Sequence, residues 1–382
     1  MNVLLTGATG SLGPHLVLEL LRAKEIERLY LLCRSDEHAS SARVQILRAG
    51  MIEAAGSADA AIARRDVMTV PGDVRDPWLG MVDGQYDALA PDLDVIIHAA
   101  ADTRFTASSS ELREVNVGGI RNVVGLAQRC PRLRQLLVVS TACVAGTRTG
   151  VIPERLDAEP SSFVNEYERT KWHAERVAAG GHVPLRIARL STCIGSAHNG
   201  YVHRFGAIHQ SFRWFMRGLI PMVPGTSESR LDFMPSDIAA RWIARAAMCP
   251  VDGLEVCHVA AGKLAVSLED LIDCVVEHCR GTHPGWKARQ LESPAIVTAE
   301  TFDLFRRSVA QAGDLLLLRV LESACSFLPA LLHPKVYRTE QAERVWGHAL
   351  PLTDWRSTLG KVIDFGCARG WTSVAAPETS HA

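Results

Sequence analysis

A tyrosine and a lysine four residues apart carry the clearest chemical signal in the sequence. Tyr167 and Lys171 lie in a helix predicted over residues 165–179, so their side chains share one helix face. A tyrosine hydroxyl with its ordinary pKa of ~10 is a poor acid or base at neutral pH, but a neighbouring ammonium favours the phenolate and eases proton transfer. Taken alone, the pair is also typical of an exposed helix surface.

A threonine at the end of a predicted strand favours a catalytic role for this pair over an exposed helix surface. Thr141 follows the apolar strand predicted over residues 135–140, where a hydroxyl would face the same cleft as Tyr167. Two hydroxyl donors aimed at one carbonyl oxygen stabilise the negative charge that develops there. We therefore interpret Thr141, Tyr167 and Lys171 as a catalytic set that polarises a carbonyl and moves a proton.

A glycine-rich turn near residue 10 predicts a dinucleotide site. It follows a short apolar strand and opens a predicted helix over residues 12–24. Glycines at this spacing let the chain turn tightly, let backbone N–H groups approach a pyrophosphate, and let helix and strand pack closely. Ordinary turns also favour glycine, but strand, turn and helix here agree. The residues of this turn assigned to the cofactor are Thr6, Gly7, Thr9, Gly10, Ser11, Leu12 and Gly13. Lys171 is assigned to the cofactor as well, because its ammonium can also hold the ribose.

The end of the second predicted strand bears on the choice of cofactor. Arg34 stands where an NAD-specific site usually places an acidic residue on the ribose hydroxyls. A guanidinium can hold a 2′-phosphate through two parallel hydrogen bonds, so the sequence favours NADPH over NADH. Asp36 leaves the use of both cofactors open, and a solvated arginine at a strand end is the alternative interpretation.

Two further strand ends are predicted to border the cofactor. Asp73 and Val74 follow the third strand, where they would meet the adenine. Ala99, Ala100 and Ala101 follow the fourth strand and are small enough for the backbone to pass beside the pyrophosphate and the nicotinamide ribose.

Short apolar runs alternate with helical segments over the first 190 residues, which predicts an α/β fold with a doubly wound, Rossmann-like parallel sheet. The strands are predicted at residues 3–6, 29–33, 67–70, 95–98, 135–140, 185–190 and 257–260. We expect a dinucleotide-binding domain over 1–195, rejoined by 232–262. A smaller, mostly helical substrate lobe is expected over 196–231 and 263–372, followed by a disordered tail over 373–382.

Composition narrows the class of protein. The 382 residues are 47% hydrophobic and carry a net charge of −1, so the chain can bury a large core and has no overall field that would attract nucleic acid. Ten cysteines include no CxxC pair, which predicts buried thiols and no structural metal. The first strand runs straight into the glycine turn and leaves no room for a signal peptide, so we expect a cytoplasmic protein.

The motifs together resemble those of the extended short-chain dehydrogenases/reductases. They are the glycine turn, Asp73, residues 98–101, Asn116-Val117-Gly118, Val139-Ser140-Thr141 and Tyr167-x-x-x-Lys171. Finer motifs are similar to the thioester reductase and fatty acyl-CoA reductase branch. They are Cys33-Arg34-Ser35-Asp36-Glu37, Ala100-Ala101-Asp102-Thr103-Arg104-Phe105, Ser140-Thr141-Ala142-Cys143-Val144, Leu231-Asp232-Phe233-Met234-Pro235-Ser236-Asp237 and Asp354-Trp355. The sequence departs from the branch at Leu190-Ser191, where relatives have Pro-Gly or Pro-Ser.

The resemblance implies a reaction and a set of partners. NADPH would deliver hydride to the carbonyl of an acyl thioester carried by coenzyme A or by an acyl carrier protein. The products would be an aldehyde and a thiol, and an alcohol after a second hydride. The resemblance also implies that Asn116 supports the helix of Tyr167 through a bound water.

Other interpretations remain open at this stage. The same hydride chemistry suits a free ketone, an aldehyde or a sugar nucleotide, as in other extended reductases and epimerases, and a non-catalytic NADPH sensor or scaffold is a third possibility. Residues 201–250 hold six arginines against three acidic residues, a net +3 that would attract coenzyme A phosphates or an acidic carrier. The arginines are Arg204, Arg213, Arg217, Arg230, Arg241 and Arg245.

A second open question concerns residues 315–332. Leu318, Leu321, Cys325 and Leu328 recur at helical spacing and predict one apolar face. That face is expected to pack on the substrate lobe. The alternatives are that it walls a tunnel for a long acyl chain or rests on a membrane.

Overall fold

The structure is a computed structural model that describes residues 1–34, 39–56, 67–82, 84–105, 107–283, 293–325, 328–352 and 354–373. Asp36 and residues 374–382 of the expected tail lie outside the described residues. Ser373 is described, and its Oγ accepts a hydrogen bond from the backbone N–H of Phe205 at 2.9 Å.

Strands and helices alternate through the first half of the chain. The strands are β1 (Asn2–Thr6), β2 (Arg28–Cys33), β3 (Val67–Pro71), β4 (Val95–His98), β5 (Gln135–Thr141), β6 (Gly150–Ile152), β7 (Leu185–Leu190), β8 (Thr192–Cys193), β9 (Met222–Pro224), β10 (Arg230–Leu231), β11 (Phe233–Met234), β12 (Leu254–Val259), β13 (Val266–Ser267), β14 (Ala295–Val297) and β15 (Lys335–Tyr337). The α-helices are α1 (Gly13–Arg22), α2 (Ala39–Ala55), α3 (Gln85–Leu89), α4 (Ser109–Arg113), α5 (Gly119–Ala127), α6 (Glu166–Ala179), α7 (Ala207–Met216), α8 (Ser236–Met248), α9 (Leu268–Thr282), α10 (Ala299–Ala312), α11 (Leu315–Cys325), α12 (Glu340–Trp346) and α13 (Trp355–Ala368).

Seven strands form one parallel sheet in the order β3-β2-β1-β4-β5-β7-β12. The strand order reverses between β1 and β4, and ligands of doubly wound sheets bind in the crevice at such a point. The predicted α/β class and the doubly wound parallel sheet are therefore confirmed. The returning strand β12 begins at Leu254, three residues earlier than predicted.

Helices cover both faces of the sheet, which explains why the central strands are continuous apolar runs. On one face, α1 and α8 contribute Leu16, Leu20 and Trp242 to a buried apolar cluster. On the other face, α5 and α6 contribute residues such as Ile120 and Ala174 to a second cluster. The crevice at the strand ends is thus held between two packed layers.

A third apolar cluster lies outside the sheet and joins α7, α9, α10, α11 and α13. Its members are typical core residues, including Phe212, Leu271, Phe302 and Ile363. This cluster is the core of the mostly helical part of the chain, while the exact boundaries of the two expected domains stay a prediction. Within the described ranges, no helix combines the length and the apolarity that a bilayer crossing requires.

Helix α6 is fixed to the sheet by a buried ion pair. Glu175 has no exposed side-chain surface, and its two carboxylate oxygens accept hydrogen bonds from Arg189 Nε and Nη2 of β7 at 2.9 and 2.7 Å. Ser140 of β5 donates to the same carboxylate at 2.7 Å. Because both charges are buried, this contact depends on each partner being present.

The imidazole of His258 on β12 completes this network. Its Nε2 lies 3.3 Å from Arg189 Nη1, and its Nδ1 lies 2.9 Å from the carbonyl oxygen of Arg338. Burial lowers the pKa of His258 to about 3, and the charge of Arg189 acts in the same direction. A neutral imidazole with its proton on Nδ1 therefore donates to the carbonyl and accepts from the guanidinium.

Replacement of Glu175 tests how much the fold depends on this pair. Glu175→Gln leaves the Arg189 guanidinium buried without its counter-charge, so we expect a loss of about 3–5 kcal/mol in the free energy of unfolding. Glu255→Gln is the matched control, because Glu255 also pairs with a buried arginine, Arg186. After this change Arg186 keeps its hydrogen bonds to Gln135 and to the carbonyl oxygens of Ala246 and Cys249. Urea denaturation measures both variants, and an equal loss would contradict the assignment.

The predicted apolar face of α11 packs into the third cluster. Leu321 is 1% exposed and Val320 is buried beside it, whereas Leu315 at the start of the helix is 67% exposed. Leu318 is partly buried, and the side chain of Cys325 lies outside the described part of the chain. The contacts of Leu321 favour the core-helix interpretation.

Truncation of two leucines on this helix measures that packing. Leu321→Ala should lower the free energy of unfolding by about 2–5 kcal/mol, because it opens a cavity in the third cluster. Leu315→Ala removes the same atoms from an exposed position and should change stability by less than about 0.5 kcal/mol. Thermal unfolding of the two variants decides the question, since comparable losses would show that Leu321 is not a core residue.

Candidate active site

The turn between β1 and α1 lies against the end of β4. Gly7 has φ +81°, and a Cβ there would stand 2.5 Å from the backbone nitrogen of Ala100. A Cβ on Gly13 would stand 1.8 Å from the carbonyl oxygen of Ala8. Only glycine permits this turn, which brings the first turn of α1 to the crevice beside Ala99, Ala100 and Ala101.

The N-terminus of α1 suits an anionic ligand. No side chain caps it, and its first turn holds no acidic residue. Backbone N–H groups at such a helix end attract a phosphate. Thr9 and Gly10 are partly exposed in the turn, Ser11 is exposed, and Leu12 is the N-cap residue, so these four predicted residues fit a cofactor pyrophosphate.

Thr6 is buried beneath the turn. It has no exposed surface, and its Oγ1 shares a hydrogen bond with His98 Nδ1 at 2.9 Å and accepts the Ala100 N–H at 3.2 Å. Burial lowers the pKa of His98 to about 3, with the charge of Lys171 acting in the same direction. Thr6 therefore joins the ends of β1 and β4 and positions the turn, while its predicted contact with the cofactor stays a prediction.

The ends of β2 and β3 form a charged group. Arg75 donates three hydrogen bonds to the carboxylate of Asp73, between 2.8 and 3.1 Å. Partial burial acts to raise the pKa of Asp73, but these bonds and the charges of Arg75 and Arg34 hold it below its ordinary value. Arg34 is exposed beside this group, while Val74 is buried and binds Asn122 through its carbonyl oxygen.

The structure brings the three predicted catalytic side chains to the ends of β5 and α6. Thr141 ends β5, and its hydroxyl lies near that of Tyr167 in the first turn of α6, close enough to act on the ionisation of the tyrosine. The tyrosine ring is half-buried and packs on Phe105, with 5.6 Å between ring centroids. The two hydroxyls therefore lie together at the edge of the cleft.

The ionisation of Tyr167 differs from the sequence-based expectation. Burial raises its pKa well above the ordinary value, although the hydrogen bond from Thr141 acts in the opposite direction. Lys171, expected to lower that pKa, is buried and directs its Nζ to the carbonyl oxygen of Val139 at 2.9 Å. Burial lowers the pKa of Lys171 to about 8, against the charge of Glu175. Burial therefore favours the protonated tyrosine over the phenolate.

Asn116 holds the catalytic helix from its other side. It lies in a π-helical turn, Glu114–Gly118, between α4 and α5. Its Oδ1 accepts the Asp102 N–H at 2.9 Å, and its Nδ2 donates to Thr170 Oγ1 at 3.1 Å. Thr170 in turn donates to the carbonyl oxygen of Tyr167 at 2.9 Å. Asn116 therefore supports the helix of Tyr167 through the Thr170 hydroxyl, and the water that the resemblance implied stays a prediction.

The sequence did not single out three side chains beside this set. Cys143 donates its backbone N–H to Thr141 Oγ1 at 3.1 Å, and burial raises the pKa of its thiol to about 11. Burial raises the pKa of Glu168 to about 7, against the charge of Lys335 on β15. The position of Glu168 next to Tyr167 in the sequence could have marked it as a residue of the site. Lys335 gave none, because only folding brings β15 to this end of the sheet.

The departure at Leu190-Ser191 lies directly beside the catalytic strand end. Leu190 is the β7 residue that pairs with Thr141 of β5 and with Val259 of β12. Both residues are buried. The substitution therefore alters the wall of the cleft next to Thr141.

One group of possible metal ligands occurs among the described residues. Asp364 Oδ1 lies 2.8 Å from His278 Nε2 and 3.3 Å from His283 Nε2. The sequence prediction of no structural metal rested on cysteine spacing and did not consider these residues. Their mutual contacts link α9 to α13.

The chain matches a family model and resembles several known proteins. A family model described as Male sterility protein, an NAD-binding domain, matches residues 5–243. The hybrid PKS-NRPS synthetase pvhA of Talaromyces variabilis is 29% identical over 248 residues, which are 64% of this chain and 6% of that protein. The probable fatty acyl-CoA reductase 5 of Arabidopsis thaliana is 31% identical over 167 residues, 40% of this chain and 33% of that protein. The chain thus spans a minor part of the length of these relatives.

Solved structures share the fold. The terminal R domain from the myxalamid PKS-NRPS biosynthetic pathway superposes with a TM-score of 0.76 at 23% identity, covering 99% of this chain and 92% of that one. The UDP-glucuronic acid 4-epimerase from Bacillus cereus superposes with a TM-score of 0.63 at 15% identity, covering 97% of this chain and 99% of that one. With the family match over residues 5–243, the chain belongs to the NAD-binding Male sterility protein family, NAD(P)-dependent reductases homologous to thioester reductase domains and fatty acyl-CoA reductases.

Proposed function

We propose that the chain reduces the carbonyl of an acyl thioester with NADPH, giving an aldehyde and a free thiol. The observation that carries this proposal is the placement of Thr141 at the end of β5 and of Tyr167 in the first turn of α6, with Lys171 one helical turn away, at the sheet edge where the glycine turn also lies. A second hydride would convert the aldehyde to an alcohol. The thioester relatives support the choice of substrate.

Thr141 and Tyr167 have separate roles in the proposed reduction of the thioester carbonyl. NADPH supplies the hydride, which adds to the carbonyl carbon. Thr141 and Tyr167 donate hydrogen bonds to the oxygen on which negative charge develops. Tyr167 then gives its proton to that oxygen, so that a hemithioacetal forms, and collapse of the hemithioacetal breaks the C–S bond and releases the thiol.

The ionisation states fit this division. Because burial raises the pKa of Tyr167, the hydroxyl carries a proton when the substrate arrives. Lys171, with a pKa of about 8, changes protonation near the working range and can return a proton to Tyr167. Burial raises the pKa of the neighbouring Cys143 thiol to about 11, which disfavours the thiolate that an acyl acceptor would need.

The carrier is coenzyme A or an acyl carrier protein, and the excess of arginines over residues 201–250 supports an anionic partner. The structure divides these arginines between different contacts. Arg213 and Arg217 stack on Trp214 of α7, whereas Arg241 pairs with Glu19 and Arg245 binds the carbonyl oxygen of Val345. The α7 pair is therefore the part of this set that we assign to the carrier.

The alternative substrate is a free ketone, an aldehyde or a sugar nucleotide, favoured by the shared fold of the epimerase. Incubation with NADPH and a panel of acyl thioesters separates the two, because only thioester reduction releases a thiol. We expect thiol release to match aldehyde formation. NADPH consumption with ketones or aldehydes and none with thioesters would establish the alternative.

Removal of the Tyr167 hydroxyl tests the catalytic set. Tyr167→Phe should lower kcat by about 10²–10⁴-fold, the usual contribution of a positioned proton donor, and leave NADPH affinity nearly intact. Tyr30→Phe is the matched control, because it removes the hydroxyl of a β2 tyrosine that donates a hydrogen bond to Asp92 at 2.7 Å. Steady-state kinetics and cofactor titration measure both variants. Retention of more than about half of the activity in Tyr167→Phe would refute the assignment.

Cofactor choice should depend on Arg34. If its guanidinium holds the 2′-phosphate, Arg34→Ala should raise the KM for NADPH by about one to two orders of magnitude and change that for NADH little, since a charge-assisted contact contributes about 1.5–3 kcal/mol. Arg28→Ala, at the opposite end of β2, is the control and should affect neither cofactor. Equal losses for both cofactors in Arg34→Ala would contradict the prediction.

A further inference from the structure

The third apolar cluster contains an unfilled cavity of about 80 Å³. Its walls come from several elements, including Phe212 and Phe215 of α7, Leu271 and Val275 of α9, Leu231 of β10, and Leu331. Ser211 is the one polar residue among the described residues that line it, and its hydroxyl already donates to the carbonyl oxygen of Ala207 at 3.2 Å. The cavity thus offers an occupant apolar contacts and no unpaired polar group.

The chemistry of the walls defines the occupant. An apolar cavity in a protein core costs stability in proportion to its volume, and such cavities bind apolar molecules rather than water. A cavity of roughly 150 Å³ holds benzene, so one of about 80 Å³ takes about three or four carbons of an alkyl chain.

One wall segment of the cavity is joined to the catalytic strand end through the backbone. Leu231 immediately precedes Asp232, whose carbonyl oxygen accepts the Thr192 N–H at 3.4 Å. Leu190, two residues before Thr192, pairs with Thr141 across β7 and β5. Because these links span only a few residues, the cavity wall at Leu231 lies within the length of a long acyl chain of Thr141.

We propose that this cavity receives the terminal carbons of a straight saturated acyl chain whose thioester carbonyl lies at Thr141 and Tyr167. This proposal rests on the reductase function proposed above and extends it to the acyl group. Because the cavity is small, it selects chains whose last carbons just reach it. Each methylene that it buries should improve kcat/KM by about fourfold, and longer chains should lose that gain.

Two adjacent valines provide a matched test. Val275 lines the cavity, whereas Val276 is not among its lining residues, and both are 3% exposed on α9 within the same apolar cluster. Val275→Phe fills the cavity. Val276→Phe adds the same bulk to the same helix and controls for general overpacking.

Kinetics with straight-chain acyl-CoA substrates from hexanoyl to palmitoyl give the first readout. We expect Val275→Phe to shift the preferred chain to a shorter one and to lower kcat/KM for the preferred wild-type substrate by about 10–100-fold. Val276→Phe should keep the wild-type profile, whatever its melting temperature. An identical profile in all three proteins would overturn the proposal while leaving the reductase function in place.

Binding of the corresponding free fatty acids, measured calorimetrically, gives a readout that needs no turnover. Weaker binding to Val275→Phe than to Val276→Phe supports the cavity even if no thioester is reduced, in which case the reductase function alone fails. Equal binding to both variants refutes the cavity assignment. Should Val275→Phe not fold, Phe215→Leu enlarges the same cavity and should shift the preferred chain to a longer one.

Discussion

The catalytic geometry depends on a buried carboxylate that is not itself at the reaction centre. Glu175 stands on the same face of α6 as Tyr167 and Lys171, at successive intervals of four residues. Its hydrogen bonds to Arg189 and Ser140 fix the rotation of this helix about its axis and its distance from the sheet. Because a buried charge without its partner is costly, other rotations of α6 are strongly disfavoured. The ion pair that holds α6 against the sheet therefore also sets the position of the Tyr167 side chain.

The strand ends add a second constraint. In a parallel sheet all carboxyl ends lie on one edge, so β1 delivers the glycine turn to the same edge at which β5 delivers Thr141. Asn116 closes the arrangement by binding both the Asp102 backbone after β4 and the Thr170 hydroxyl of α6. Its π-helical turn is a local distortion of the kind that often occurs at functional sites. The side-chain amide of Asn116 thereby links the cofactor crevice to the catalytic helix α6.

Burial sets the electrostatics of the cleft. It moves the pKa of Tyr167 upward, which favours the protonated hydroxyl. It lowers the pKa of Lys171 to about 8, so the ammonium still predominates at neutral pH. It also raises the pKa of Glu168 to about 7 and that of Asp232 to about 6. A protonated tyrosine and a threonine hydroxyl suit a reaction in which negative charge develops on one oxygen and is met by two hydroxyl donors.

The sequence alone determined the fold class, the glycine turn and the spacing of Tyr167 and Lys171, because these depend on local periodicity and on residue types that act over a few positions. It also predicted the family, since the motifs stand in a characteristic order. Only the tertiary structure decided that Thr6 is a buried link between strands, that Asn116 contacts Thr170, and that burial raises the pKa of Tyr167. The roles of Glu175 and Lys335 were equally hidden. Their partners are distant in the chain, and desolvation is a property of the packed interior that no local pattern encodes.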